Sequence, residues 1–447
     1  MTPHGASPGS LTGPRIFRFW SPLAATWLMM AMEGPFLVAL IARLPDPKLN
    51  LAAHGVAFAM AVLVEAPVIM LMSASTALAK DRDSYRRLRN FAQGCNLVAT
   101  VLLLTVLIPG VYRTLAYDLL GLPDDVGRLT YGALWFFLPW PSAIGYRRFL
   151  HGVMIRGGQT RLVAMGTVLR LGATMGIGLA LYRLTDLPGA WIGAASLSTG
   201  VVAEAVVARW MAAGTVRRIL GKPGPSSGSR GFLDYRRILG FYYPLALTSL
   251  IGLAAHPMLT FFMGRARAPL ESLAVFPVVH ALSFVFRALG LSYQEAAIAL
   301  VGDDLDDHEA VSRFGLWLGL WVTVGVGLIA FTPLFDVWFL QISGLTDELA
   351  GYARVPAMVL LPLPALSVWL SVQRAILVQG RRTKPITMAT ALEVTGIAVV
   401  FATVGWGLDV VGVTAAILAF VGGRLAANLY LKSHVRGVVG DQSDGTG

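Results

Sequence analysis

Long apolar stretches recur along this chain, separated by short polar breaks. A bilayer crossing needs about 20 mainly apolar residues, and windows of that kind lie near 17–42, 51–79, 91–117, 129–152, 162–184, 188–212, 241–264, 272–301, 314–341, 352–378, 386–404 and 409–431. The pattern predicts an all-α, polytopic membrane protein of about 12 transmembrane helices. The first stretch, after Arg15 and Arg18, is too long for a cleaved signal and lacks a small-residue cleavage site. Composition agrees, since 55% of the 447 residues are hydrophobic and only 14% are charged. No large soluble domain fits beside twelve spans.

The net charge of +11 could signal nucleic acid, but Lys and Arg concentrate in the cytoplasmic loops of membrane proteins. If residues 1–14 form a cytoplasmic tail, basic clusters at 80–89, 156–161, 217–237, 381–384 and 432–436 all fall on the inside. The expectation is an integral protein of the cell (inner) membrane, both termini cytoplasmic, with the lipid bilayer and no nucleic acid as partner. One inside loop, GDDLDDHE, is acidic, but acids weigh little in that rule. The single Cys95 excludes an internal disulfide and any CxxC metal or redox motif.

A Gly/Pro/Ser-rich, basic linker at 214–239 divides the chain near its middle. The two sides repeat. FWSPLA at 19–24 matches FYYPLA at 241–246, an offset of 222 that also pairs Pro35 with Pro257, Arg43 with Arg265, and LAAHGV with LAVFPV. After one inserted residue, an offset of 223 pairs LPWP at 138–141 with LPLP at 361–364 and IRGGQTR with VQGRRTK. Six spans per half is an even number, so the halves, 15–213 and 240–434, insert the same way and relate by an axis along the membrane normal, a transporter architecture. Residues 435–447 read as a disordered tail.

Two six-helix lobes joined by such a linker, each with a Pro early in its first helix (Pro22, Pro244), resemble the multidrug/oligosaccharidyl-lipid/polysaccharide (MOP) flippase superfamily, which includes the MATE exporters. The stretch PLALTSLIGLAAHPMLTFFMGR at 244–265, with LAVFPV and YQEAAIAL, is most similar to the progressive ankylosis family. The resemblance implies a V-shaped pair of lobes around a central cavity that opens to one side at a time. It also implies export of a small anion such as pyrophosphate, citrate or a nucleotide. MATE exporters instead move cationic drugs on proton or sodium gradients and use an acidic residue in the first helix, where Glu33 lies; lipid-linked sugar flippases share the architecture.

Charges inside spans are costly and are functional candidates by default. Glu65 and Arg287 sit at the same repeat position, as do Arg170 and Glu393, and His151 and Arg374. Candidates for a substrate cavity are Arg147, Arg148, His151, Arg170, His256, Arg287, Arg374 and Arg424. For coupling or gating they are Glu33, Glu65, Glu204, Glu295 and Glu393. With Arg209, seven arginines face these five acids, an excess that favours an anion. The competing reading is structural, with intralobe ion pairs or snorkelling to the interface. Glu65 and Arg287, if both line a cavity, could attract one another across it as a gate.

Ten in-span prolines, including Pro22, Pro35, Pro244 and Pro257, each remove a helix hydrogen bond and are expected to kink their helices. Trp20, Trp135, Trp140, Trp338 and Trp406 near span ends read as interface anchors. The chain has no GxxxxGK[ST], no HExxH and no GxSxG, so neither a cofactor nor a metal is implied. The expected function is a secondary active transporter or facilitator that exports a small organic or phosphate-bearing anion by alternating access, coupled to a proton or sodium ion or uncoupled. Alternatives are a multidrug cation exporter, a lipid-linked substrate flippase, a polytopic membrane transferase, and a scaffold or receptor.

Overall fold

The computed structural model describes residues 11–224, 233–301, 305, 307–380, 382 and 384–443. Helices make up nearly all of this, and among the described residues the only extended pairing is a single bridge between Arg267 and Val411. The twelve spans are α1 (Gly13–Ala42), α2 (Pro47–Glu65, resumed by Leu71–Leu78), α3 (Arg82–Leu107), α4 (Asp124–Phe136 and Trp140–Arg156), α5 (Thr160–Leu184) and α6 (Gly189–Met211) in the first half. In the second half they are α7 (Tyr235–Met263), α8 (Pro269–Leu300), α9 (His308–Phe331), α10 (Asp347–Val359 and Leu363–Gln379), α11 (Lys384–Phe401) and α12 (Gly412–Ser443).

Ten of these helices are long and apolar enough to cross a bilayer, and the α10 pair, bent by 42°, makes eleven. The twelfth, α4, falls outside that set: its two helices have 13 and 17 residues, and the second carries Arg147, Arg148, His151 and Arg156. Two boundaries differ from expectation. The last helix runs on to Ser443, into the segment read as tail, and the linker region holds a short helix, Ala213–Leu220, while its residues 225–232 lie outside the described set. Residues 302–304 and 306 of the acidic loop lie outside it too.

Local chemistry starts the helices in matched ways. Pro47 and Pro269 open α2 and α8, each preceded by a left-handed residue, Asp46 (φ 52) and Ala268 (φ 53), at equivalent repeat positions. A π-turn, Thr114–Leu119, ends at left-handed Gly121, and its counterpart Val337–Ile342 ends at left-handed Gly344. Asp81 caps α3 by accepting from Asp83 and Ser84 backbone N–H groups.

Proline acts selectively. Helices break after Met32 ahead of Gly34-Pro35, around Pro67, and at the doubled prolines Pro139/Pro141 and Pro362/Pro364. They run uninterrupted through Pro22, Pro244, Pro257 and Pro277, so the repeated pair Pro22/Pro244 gives no break. One proline deletes one N–H, and the hydrogen bonds of neighbouring turns can carry the helix past it; a second proline or an adjacent glycine accompanies three of the four breaks, and Pro67 breaks its helix without either. Pro67 also separates the repeats, because Leu289 holds its place in α8 and that helix stays whole through Arg287.

The halves meet on both faces. At the face bearing the chain ends, the terminal face, α1 leaves its own half and packs on α8 and α9. Trp20 donates its Nε1–H to Ser292 Oγ at 2.9 Å and meets Tyr293 and Phe314 edge-on. Its repeat mate Tyr242, on α7, does the reverse. It donates to the Pro67 carbonyl and packs on Phe91, the equivalent of Phe314. Toward the opposite, distal face, α2 lies against α8, where a Cβ on Gly55 would come within 2.6 Å of Pro277 Cγ. Lys48 there bridges to Glu271 (2.7 Å) and Glu348 (2.9 Å) of the second half.

Candidate functional site

The intramembrane charges gather into two clusters, one in each half. In the first, the doubled proline starts the Trp140–Arg156 helix and sets Arg147, Arg148 and His151 within about one turn of each other, with Arg147 and His151 facing Glu204 of α6. Arg147 donates to Glu204 Oε2 at 2.6 Å, and His151 Nε2 lies 3.7 Å from Glu204 Oε1. Arg170 reaches Glu33 at 3.1 Å and Glu204 at 3.8 Å, and Thr174 donates to Glu33 at 2.9 Å. Glu65, at the break in α2, accepts from Trp140 Nε1 at 2.6 Å, and the foremost charge acting on it is Arg148. Arg148 has no hydrogen bond or ion pair among the described residues, and its Nε is buried.

The second cluster is built on α8, α10, α11 and α12. Arg424 forks onto Glu393 (2.7 and 2.9 Å) and donates to Ser367 Oγ at 3.1 Å. Arg374 donates to Thr390 Oγ1 at 3.3 Å and has no carboxylate partner among the described residues. Arg287 also has none; its Nε is buried and unpartnered, and the charges within its reach are Arg424, Glu393 and Arg374.

The two clusters differ in balance. Arg147, Arg148 and Arg170 face Glu33, Glu65 and Glu204, three against three, whereas Arg287, Arg374 and Arg424 face Glu393 alone, three against one. The repeat explains the difference, because Glu33, Glu65 and Glu204 of the first half are replaced by Ala255, Arg287 and Ala427 in the second, where the one acid, Glu393, stands at the position of Arg170. A pair of unneutralised guanidiniums in a medium of reduced dielectric is an anion-binding arrangement.

Several expectations change. Glu65 and Arg287 are equivalent in the repeat but are not paired here, since each is held in its own cluster. Glu295 is exposed beside Trp27 and adds no charge to Arg287. Arg209 is exposed near the end of α6, which leaves six arginines at depth rather than seven. Trp20 and Trp140, read as interface anchors, are both 5% exposed and act as interior donors, while Trp135 and Trp406 face outward. His256 lies on α7 against Phe58 of α2, and its ring packs on His280 at 4.8 Å, a pairing that sequence spacing did not signal. Pro35 lies at the break in α1, while Pro257 follows His256 inside an unbroken helix.

No protein-family model and no curated protein matches the chain. Solved structures do. A multidrug resistance MATE family transporter of the MOP superfamily, in an inward-facing conformation, matches at TM-score 0.65 and 15% identity over 92% of this chain and 95% of that one. The lipid II flippase MurJ, in an inward closed conformation, matches at TM-score 0.69 and 14% identity over 93% and 87%. A MOP superfamily transporter from Pyrococcus furiosus, described by the reverse polarity of its binding pocket, matches at 0.64 and 14% over 97% and 99%. The narrower progressive ankylosis resemblance rests on the quoted sequence segments alone. What these likenesses establish is the fold: an all-α polytopic membrane protein of the MATE-like architecture found in the MOP superfamily.

Proposed function

We propose that this protein is a membrane transporter that moves a phosphate- or carboxylate-bearing anion by alternating access of its two halves, with no enzymatic step. The carrying observation is the uneven charge of the two clusters, above all Arg287, half-buried with its Nε shielded from water and unpartnered, grouped with two further arginines and with Glu393 as the one acid acting on it. A buried cation left unpaired is costly, and an anionic substrate is the group that would relieve it. The first half supports the same reading from the other side: Glu33 and Glu204 are already engaged by arginines and Glu65 by Trp140, which leaves no free acid there to receive a cationic drug. A pocket of reverse polarity in one structural neighbour is consistent with this departure from multidrug export.

A second reading is favoured by the flippase likeness: the anion is the phosphate of a lipid-linked substrate, read by the same guanidiniums. The test is transport into proteoliposomes of labelled pyrophosphate, citrate and ATP, of labelled organic cations, and of a fluorescent diphosphate lipid. Each is run with and without proton and sodium gradients. Arg287→Gln and Arg374→Gln should each lower anion flux roughly tenfold, the loss of about one charged hydrogen bond. Cation flux without anion flux would overturn the proposal.

A further inference from the structure

His256 and His280 form a buried imidazole pair that the charge clusters do not use. Both ring nitrogens of His256 are buried without a partner, and the two rings meet edge to face with centroids 4.8 Å apart. Aromatic rings wall the pair on every side described: Phe276 of α8 at 5.3 Å, Phe420 of α12 at 6.2 Å from His280, and Phe58 of α2 at 6.1 Å from His256. The titratable and charged groups facing His256 are His280 and Arg287, and those facing His280 are His256 and Arg287. From α2 comes only Phe58, with His54 stacked behind it, and from α12 only Phe420. No carboxylate is in reach among the described residues.

We propose that His256 and His280 are the proton-binding element of this transporter and that they take up a proton together with the anion held at Arg287. This rests on the anion reading above. A proton on either ring has no counter-charge in the protein and lies on the same side of the balance as three arginines, so its counter-charge is the bound anion. Linkage makes the effect mutual, each ligand raising the affinity for the other by the same factor. Proton and anion therefore travel in the same direction, and an inward proton gradient drives the anion inward, the reverse of the export that the family resemblance implies.

The location supplies alternating access. His256 stands 7 residues before the distal end of α7 and His280 11 residues after the distal start of α8, about 10 and 16 Å deep at 1.5 Å per residue. Arg287 lies two turns farther in. Phe58 and the Gly55–Pro277 contact bring the other half against the pair at a similar depth. Separation of the halves at that face would wet the imidazoles and let them exchange a proton with the solution from which the anion site fills.

The experiment follows anion and proton in the same proteoliposomes, with labelled pyrophosphate, citrate and ATP outside and trapped pyranine reporting internal pH, between pH 5.5 and 8. In the unaltered protein, anion uptake should rise by up to tenfold per pH unit as pH falls, with acidification of the lumen. His256→Gln with His280→Gln should keep anion uptake at its high-pH level, lose the pH dependence and abolish the acidification. The single variants, with monodispersity and melting temperature measured beside them, show whether a loss is one of folding. If the unaltered protein moves none of the three anions, both readings fall. Anion uptake with no proton movement, or a double variant whose pH profile matches the unaltered protein, overturns the histidine assignment and leaves anion transport standing.

Discussion

Arg43 and Arg265 make the same contact in opposite directions across the distal face. Arg43, at the end of α1, donates to the carbonyls of Gln341 (2.5 Å) and Ile342 (2.9 Å), which close the second-half π-turn. Arg265, its repeat mate after α7, donates to the carbonyls of Asp118 (2.8 Å) and Leu119, which close the first-half π-turn. Carbonyls at a helix C-terminus have no intrahelical partner, and a guanidinium fork satisfies two of them while adding favourable charge. The repeat thus produces a two-fold clasp holding the halves together on this side.

Arg43→Gln with Arg265→Gln should release that clasp. Partly exposed bonds of this type contribute roughly 1 kcal/mol each, so the distal-open population should grow about tenfold or more. Spin labels at positions 124 and 347, equivalent sites at the starts of α4 and α10, report it as a longer distance component. An unchanged distance distribution would remove the clasp from the closing machinery.

Gly55→Val tests the same closure from the interior. A side chain at Gly55 collides with the Pro277 ring, and neither backbone can retreat within packed helices, so the same label pair should again report separation at the distal face. The expected cost is about 1–3 kcal/mol of overpacking. A variant that stays closed with an unchanged melting temperature would show that the α2–α8 contact yields locally.

Glu204 and Glu65 should differ sharply in their effect on stability. Glu204→Gln leaves Arg170 with Glu33 and Arg147 with no carboxylate in contact, and should cost about 3–5 kcal/mol, seen as a large fall in melting temperature in detergent. In Glu65→Gln the carboxamide oxygen can still accept from Trp140, and the cost should be about 1 kcal/mol. Equal losses would contradict the network as described.

The pair Glu65 and Arg287 should behave independently in this state. Their clusters are separate, so the losses from Glu65→Gln and Arg287→Gln should add to within about 0.5 kcal/mol in a stability cycle. A coupling larger than that would show that the two charges meet in another conformation of the halves.

Much of the architecture was legible in the sequence because hydrophobic runs and repeated letters report it directly. The α4 span was recoverable even though its arginines spoil its apolar character, since LPWP and LPLP align it with α10. Docking was not legible: the repeat shows that Trp20 and Tyr242 are equivalent, but not that each lodges in the opposite half. The site divides the same way. Arginine excess could be counted along the chain, whereas the partners of Glu65 could not, because Trp140 lies 75 residues away and reaches it only through the break at Pro67. Repeat register gives equivalence of position, and contact depends on which way each helix is turned.

The crossing of α1 and α7 also bears on how the chain is made. When α1 leaves the ribosome, the surface that will hold Trp20, formed by Ser292, Tyr293 and Phe314, has not been synthesised, so the first helix must wait in the bilayer for most of translation. The first half cannot finish its own assembly, and Tyr242 arrives to complete it only after the linker has emerged. Insertion is sequential but maturation is shared, and two nascent chains side by side could lend each other a first helix, the route to a swapped dimer.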